Sequence, residues 1–245
     1  MESKANSEYM KLYHRWLFEW HCENFYPFAD YLTAGEMDYL NTCFSLAEDF
    51  VEVSDLGYDN FSYYSYSHRV DKNHVNSSRL AFGTVAHPKE CFQAALPVFE
   101  ERNISIETLF PQYLEHKFYG LGWDILEDHF KIYWRIPEMR KVVSPFKELF
   151  TQGSTNASHE GLIAIILKGG QIFERKAYLY PGERRVEMFA SNRGLVEQYD
   201  VEESISWSKK INNIGREIIQ KYQDIEEDLD TISIIDKDHY TLYFP

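Results

Sequence analysis

The chain has 245 residues, 44% of them hydrophobic, which is enough to bury one large core or two small ones and too apolar for a disordered segment. Its 39 acidic residues against 25 basic ones give a net charge of −14, a sign that repels nucleic-acid phosphates and anionic lipid surfaces and excludes both as expected partners. The expected address is cytoplasmic: no apolar run reaches membrane length, no apolar leader opens the chain, and Cys22, Cys43 and Cys91 are scattered without disulfide-framework or zinc-site spacing.

From the N-terminus, Met10, Tyr13, Trp16, Leu17 and Trp20 recur at three- and four-residue spacings and predict an amphipathic helix over 7–25; a second helix is predicted over 34–50. From about residue 51 the texture turns β-rich, with FVEVSDL, FSYYSYSHRV and, after the polar DKNHVNSS, SRLAFGTVA. Helix returns over 88–116, with Pro111 marking a break, and the hairpin GLGWDILEDHFKIYWRIP follows with its turn at LED. A helix over 138–150 and the loop STNASHEG lead to a second hairpin, GLIAIILKGGQIFERKAYLYP. Its KGG is a turn, since neither a GKS/T ending nor a helix follows as in a phosphate loop. VEMFAS and GLVEQYD read as two short strands, and a long helix over 204–229 precedes the last hairpin, TISIIDKDHYTLYFP. No Gly/Ser- or Pro-rich linker interrupts this order, so a single domain is expected over 1–245, with 1–50 as N-terminal helices.

Aromatic residues make up 16% of the chain, 18 of them tyrosines, and the hairpins show where some of these fall. DHFKIYWRIP at 128–137 and DHYTLYFP at 238–245 match residue by residue, and FERKAYLYP at 173–181 closes in the same way. Tyr133, Tyr178 and Tyr243 thus recur two residues after Lys131, Lys176 and Thr241, and Tyr64 takes the same place after Ser62. Strand alternation puts Lys131, Tyr133 and Arg135 on one face and Phe130, Ile132, Trp134 and Ile136 on the other; Glu174, Lys176 and Tyr178 likewise share a face. The intervening helices have apolar stripes of their own and must cover the apolar face. The fold expected is therefore α+β: repeated αββα units closing an antiparallel barrel of about 8–10 strands, helices outside, with the tyrosine-bearing face around a central chamber. In such a chamber Lys131, Lys176 and Arg135, helped by phenol hydroxyls, hold a diphosphate by charge-assisted hydrogen bonds. Rings at Tyr64, Tyr133, Tyr178 and Tyr243 stabilise an allylic cation, each by about 0.5–2 kcal/mol, and exclude the water that would quench it.

These repeated Lys-x-Tyr pairs resemble the αββα-barrel (ABBA-type) aromatic prenyltransferases. DNFSYYS followed by SSRLAFGTV is similar to the first hairpin of the cyanobactin peptide prenyltransferases and their fungal indole relatives, and GWDILEDHFKIYWRI is similar to their second. The resemblance covers roughly 51–245. It implies transfer of a prenyl group from a prenyl diphosphate to an indole, phenol or peptide side chain, with Arg79, which opens the second strand, contacting diphosphate. It implies no organic cofactor, and magnesium only through the diphosphate. The carboxylate that takes the acceptor's proton in the family falls at Asn60, leaving neighbouring Asp59 and inward-pointing Glu174 as alternatives. The family usually has five αββα units and four are placed here; either one is abbreviated around VEMFAS and GLVEQYD, or the barrel is more open. Lys131→Ala or Lys176→Ala is expected to weaken diphosphate binding with little loss of folding. The alternatives are a non-catalytic barrel for a hydrophobic or phosphorylated small molecule and an open sheet with tyrosines on a protein-binding face. His129 and His239, at equivalent turn positions, form a metal pair only if their turns converge, and no metal ligand is assigned.

Overall fold

The computed structural model describes residues 31–53, 63–72, 74–83, 87–109, 117–142, 144–150, 161–179, 185–192, 194–200, 213–221 and 231–244. Helix α1 (Ala34–Val53) starts at a capping box written as Thr33-Ala34-Gly35-Glu36. The Glu36 amide donates to the Thr33 hydroxyl at 3.2 Å, and the Thr33 amide donates to the Glu36 carboxylate at 2.9 Å. The helix runs on through Val51 and Val53, where FVEVSDL reads as β-rich. Extending a formed helix adds a hydrogen bond per residue without a new nucleus, and this outweighs the weak strand preference of two valines.

Helix α2 (Pro88–Glu101) opens on Pro88, whose fixed φ suits a first turn. It ends ahead of Asn103, which takes a left-handed φ of 54°. The helix expected over 88–116 is thus two pieces, α2 and the single turn α3 (Ile106–Leu109), broken at 102–105; Pro111 lies outside the described residues. The expected 138–150 helix also divides, into a 3₁₀ turn at Met139–Lys141 and α4 (Lys147–Phe150). Pro145 lacks an amide donor and disfavours helical backbone at Ser144. Helix α5 (Asn213–Lys221) is the described part of the expected 204–229 helix, and the 7–25 helix falls outside the described residues.

Ten antiparallel strands follow the expected hairpins: β1 (Tyr63–Asp71), β2 (His74–Gly83), β3 (Phe118–Asp124), β4 (His129–Ile136), β5 (Gly161–Lys168), β6 (Gln171–Leu179), β7 (Arg185–Ala190), β8 (Gly194–Asp200), β9 (Thr231–Asp236) and β10 (His239–Phe244). VEMFAS and GLVEQYD form the fifth hairpin, β7–β8. Each strand pairs with its neighbours in sequence, and β1 pairs with β10 as well as with β2, so the ladder returns on itself as a closed barrel. The five hairpin turns consequently share one rim and the longer connections the other. The β3–β4 turn occupies Ile125–Asp128, one residue longer than LED, and the β5–β6 turn is Gly169-Gly170 at φ 55° and 75°, a conformation that suits glycine.

The apolar core lies outside the ring, between α1, α2 and strands β2–β6. Phe130, Ile132, Trp134 and Ile136 face it, as their alternation predicts. Tyr39 of α1 meets Phe82 and Phe118 edge-on at 6.3 and 6.4 Å, and Phe92 and Phe99 of α2 meet Phe118 and Phe130 at 5.6 and 6.4 Å. Such pairs add about 0.5–1.5 kcal/mol each beyond the area they bury. Glu36, fully buried, joins three elements here: it accepts from Trp123 Nε1 at 2.8 Å and from Arg102 Nε at 2.6 Å, while the Arg102 guanidinium lies 4.5 Å above the Phe130 ring. Cys43 and Cys91 are free thiols, hydrogen-bonded to each other in this core, and burial pushes the Cys43 thiol far up. Among the described residues no helix is long and apolar enough to cross a membrane.

Candidate functional site

The inner layer of the ring is built by strand register. Arg79 of β2 stands opposite Asp124 of β3; Gly122 is opposite Lys131, which is opposite Ile166 and then Glu174; Gly120 is opposite Tyr133, then Ala164 and Lys176. On the far side of β1, Thr241 pairs with Arg69 and Ser233, and Tyr243 with Ser67. Residues facing each other across a ladder share a face, so the polar side chains of seven strands are gathered inside while α1 and α2 cover the outside of β2–β6. Two glycines make room for this layer. A Cβ on Gly83 would sit 2.1 Å from the Tyr119 ring, and one on Gly122 would sit 3.3 Å from Tyr133 Cε2.

The enclosed charges are mixed rather than uniformly basic. Arg79, Lys131 and Lys176 are buried with two carboxylates, Asp124 and Glu174. Arg79 Nε lies 3.4 Å from Asp124 Oδ2, and its Nη1 donates to Thr241 Oγ1 at 3.4 Å, while Asn76 donates to Asp124 Oδ1 at 2.9 Å. Lys176 Nζ is 3.5 Å from Glu174 Oε2, with both side chains almost fully buried. Alternation along the strands puts these acids in the chamber with the cations, so it is less positive than the lysines and Arg79 alone suggest.

A cavity of about 220 Å³ reaches this layer and is lined by Arg79, Lys176, Met188, Ser233, Thr241 and Tyr243. It extends to the exposed Ile235 and to His239, so its mouth is at the hairpin rim. His239 is held there between Asp236 Oδ1 at 2.8 Å and Asp71 Oδ1 at 3.2 Å. Tyr133 and Tyr178 hydrogen-bond to each other with ring centroids 6.4 Å apart, within electrostatic reach of Tyr243 and Arg79. A second recess, about 460 Å³, lies outside the ring between the end of α2 and two hairpin tips, lined by Arg102, Asp128, Phe130 and Gly170. Its Arg102 is committed to Glu36.

Arg79, Lys131, Lys176, Glu174, Tyr133, Tyr178 and Tyr243 share the inner layer, and Arg135, half-buried opposite Leu162, lies on it nearer the rim of long connections. Tyr64 pairs with Phe82, a residue of the helix-facing core, so its register position is on the outer layer, not in the chamber; its side chain lies outside the described residues. Ser65 takes the inner position next to it, opposite Ala81. Asp59 and Asn60 fall outside the described residues. His129 is grouped with Asp124 and Glu127 on its own hairpin, whereas His239 is paired with Asp71 and Asp236. Asp124, opposite Arg79 in the ladder, and Asn76, opposite Arg69 and bonded to Asp124, belong to the layer without any hairpin pattern to mark them.

Burial pushes the phenols of Tyr133 and Tyr178 above their ordinary value of 10; Tyr243 adds to the effect on both and Arg79 opposes it, as does the hydrogen bond from Tyr178 at Tyr133. The folded chain therefore keeps these protons at a pH where the unfolded chain releases them. Their contribution to stability is complete below pH 10 and is lost as pH rises toward the folded values. Unfolding free energy measured against pH is expected to fall above 10, and Tyr178→Phe should flatten that slope by up to about 1.4 kcal/mol per pH unit. An unchanged slope would place the Tyr178 hydroxyl in water. Compared with known proteins, the sequence matches no protein-family model and no curated protein.

Proposed function

We propose that the chain is an aromatic prenyltransferase of the αββα-barrel kind, acting in the cytoplasm on a prenyl diphosphate and an electron-rich indole, phenol or peptide side chain. The observation that carries this reading is the convergence of Arg79, Lys176 and Tyr243 on one cavity inside a helix-covered ring, with Lys131, Tyr133 and Tyr178 on the same inner layer. The cations take the diphosphate by charge-assisted hydrogen bonds, and the tyrosine faces shield the allylic cation left when the C–O bond breaks. Glu174, within electrostatic reach of Tyr178, is the base candidate that lies among the described residues. Buried thiols at Cys43 and Cys91 go with a reducing compartment.

A specific observation favours the second reading, a binding barrel without transfer. The cavity of about 220 Å³ is below the roughly 300–1,000 Å³ usual for ligand pockets, and Glu174 is paired to Lys176. Incubation with dimethylallyl or geranyl diphosphate and tryptophan-, tyrosine- or phenol-containing acceptors, with and without magnesium, separates the two. Prenylated acceptor seen by mass spectrometry supports transfer; diphosphate binding without product supports the binder; neither removes both. Lys131→Ala is expected to weaken geranyl diphosphate binding by about tenfold or more, measured by calorimetry, since a hydrogen bond to a charged group contributes about 1.5–3 kcal/mol. Unchanged binding would take Lys131 out of the site.

A further inference from the structure

The β3–β4 hairpin brings Asp124, Glu127 and His129 together at the rim end of the chamber, with one ligand atom from each within 4.8 Å of the others. The spacing is Asp-x-x-Glu-x-His within one tight turn. Asp128 there adopts φ 52°, and the Glu127 amide donates to Asp124 Oδ1 at 3.4 Å. His129 Nδ1 lies 3.4 Å from Glu127 Oε2, and two ligands about 2.1 Å from one ion at a tetrahedral angle are separated by roughly that distance.

The imidazole is 7% exposed and stacks on Phe173 at 4.6 Å, and its Nε2 has no hydrogen-bond partner among the described residues. Neither neutral tautomer suits this surrounding. A proton on Nδ1 meets Glu127 but leaves a buried lone pair on Nε2, whereas a proton on Nε2 is itself orphaned and turns the Nδ1 lone pair toward a carboxylate. A cation between Nδ1 and the two carboxylates removes the clash of the Nδ1 lone pair with Glu127 and fixes the proton on Nε2, which is left for water to meet. We propose that Asp124, Glu127 and His129 form a site for one divalent transition ion of the zinc class, mixing one imidazole nitrogen with carboxylate oxygens. Prenyl transfer is not a premise of this proposal.

Two cations now compensate the carboxylates: Arg69 Nη1 lies 3.3 Å from Glu127 Oε2, and Arg79 Nε 3.4 Å from Asp124 Oδ2. Lys131 and Lys168 also act on His129 electrostatically. The metal competes with Arg69 first, because Arg69 and Glu127 are both partly exposed and the guanidinium is able to turn to solvent. Removing Arg69 should therefore tighten metal binding at one equivalent, a gain that unfolding would not produce and that nonspecific binding to the acidic exterior would not confine to one site.

The full chain, stripped with chelator, is titrated with Zn²⁺ by calorimetry and with Co²⁺ by visible absorption. One equivalent is expected, with d–d bands of a nitrogen-containing site. His129→Gln and Glu127→Gln should each weaken Zn²⁺ by about tenfold or more, and Arg69→Met should strengthen it several-fold. Circular dichroism of each variant confirms the fold. Absence of stoichiometric binding, affinity unchanged in both ligand variants, or no gain in Arg69→Met would overturn the assignment.

Discussion

Glu36→Ala is expected to lower the unfolding free energy by about 2–4 kcal/mol, because it strips the buried Trp123 N–H and the Thr33 amide of their acceptor and leaves the partly exposed Arg102 without its counterion. The Glu36 carboxylate is completely enclosed and ties the N-terminus of α1 through the Thr33 amide, the end of α2 through Arg102, and β3 through Trp123. Without it the Trp123 N–H has lost its acceptor and the Arg102 charge its counterion, over a ring of Phe130 that replaces little of the ion pair. Glu36→Gln keeps an oxygen for Trp123 and the amide but loses the charge, so its loss should be smaller. Urea denaturation with an unchanged slope against denaturant gives both values; a loss under about 1 kcal/mol for alanine would reduce the network to a surface cap.

Lys176→Ala should lose a comparable amount, about 3–5 kcal/mol, since it leaves the Glu174 carboxylate almost fully buried without its cation. This differs from the expectation that an inward lysine is removed with little effect on folding: alternation puts Glu174 and Lys176 on one face but does not by itself pair them. Lys176→Met combined with Glu174→Gln should recover most of the stability, because a neutral pair of similar volume carries no isolated charge. Under the proposed function, the double variant should still bind geranyl diphosphate at least tenfold more weakly than the natural chain. A stable double variant with full diphosphate affinity would separate Lys176 from the binding role, whereas a single variant as stable as the parent would show that the pair is not buried in solution.

The alternation of Lys131, Tyr133 and Arg135 against Phe130, Ile132, Trp134 and Ile136 was legible because a strand with one apolar and one polar face has a single way to sit under a helix. The turn at Gly169-Gly170 was legible for a similarly local reason. Properties that depend on register between strands were not. Tyr64 fits the residue-x-Tyr pattern, yet pairing with Phe82 gives it an outer position, and a one-residue difference in register exchanges the faces of a whole strand. Helix ends depended on single residues that periodicity averages over, such as the left-handed Asn103 and Pro145. The capping box at Thr33 and Glu36 was a local signal within reach of the sequence; the further bonds from Glu36 to Arg102 and Trp123 bridge 66 and 87 positions and have no local trace.

Every ladder of the ring but one joins strands that are neighbours in sequence, and the exception, β1 with β10, brings Tyr66 opposite Phe244. Folding can therefore proceed hairpin by hairpin with low entropic penalty until that last pairing, which closes a loop spanning most of the described chain. Before closure β1 and β10 are unpaired edges able to accept a strand from another molecule, so aggregation during refolding should be governed by this seam. Once closed, the seam is also the wall beside Arg79, Thr241 and Tyr243, so the ladder expected to form last and the cavity wall are the same piece of structure.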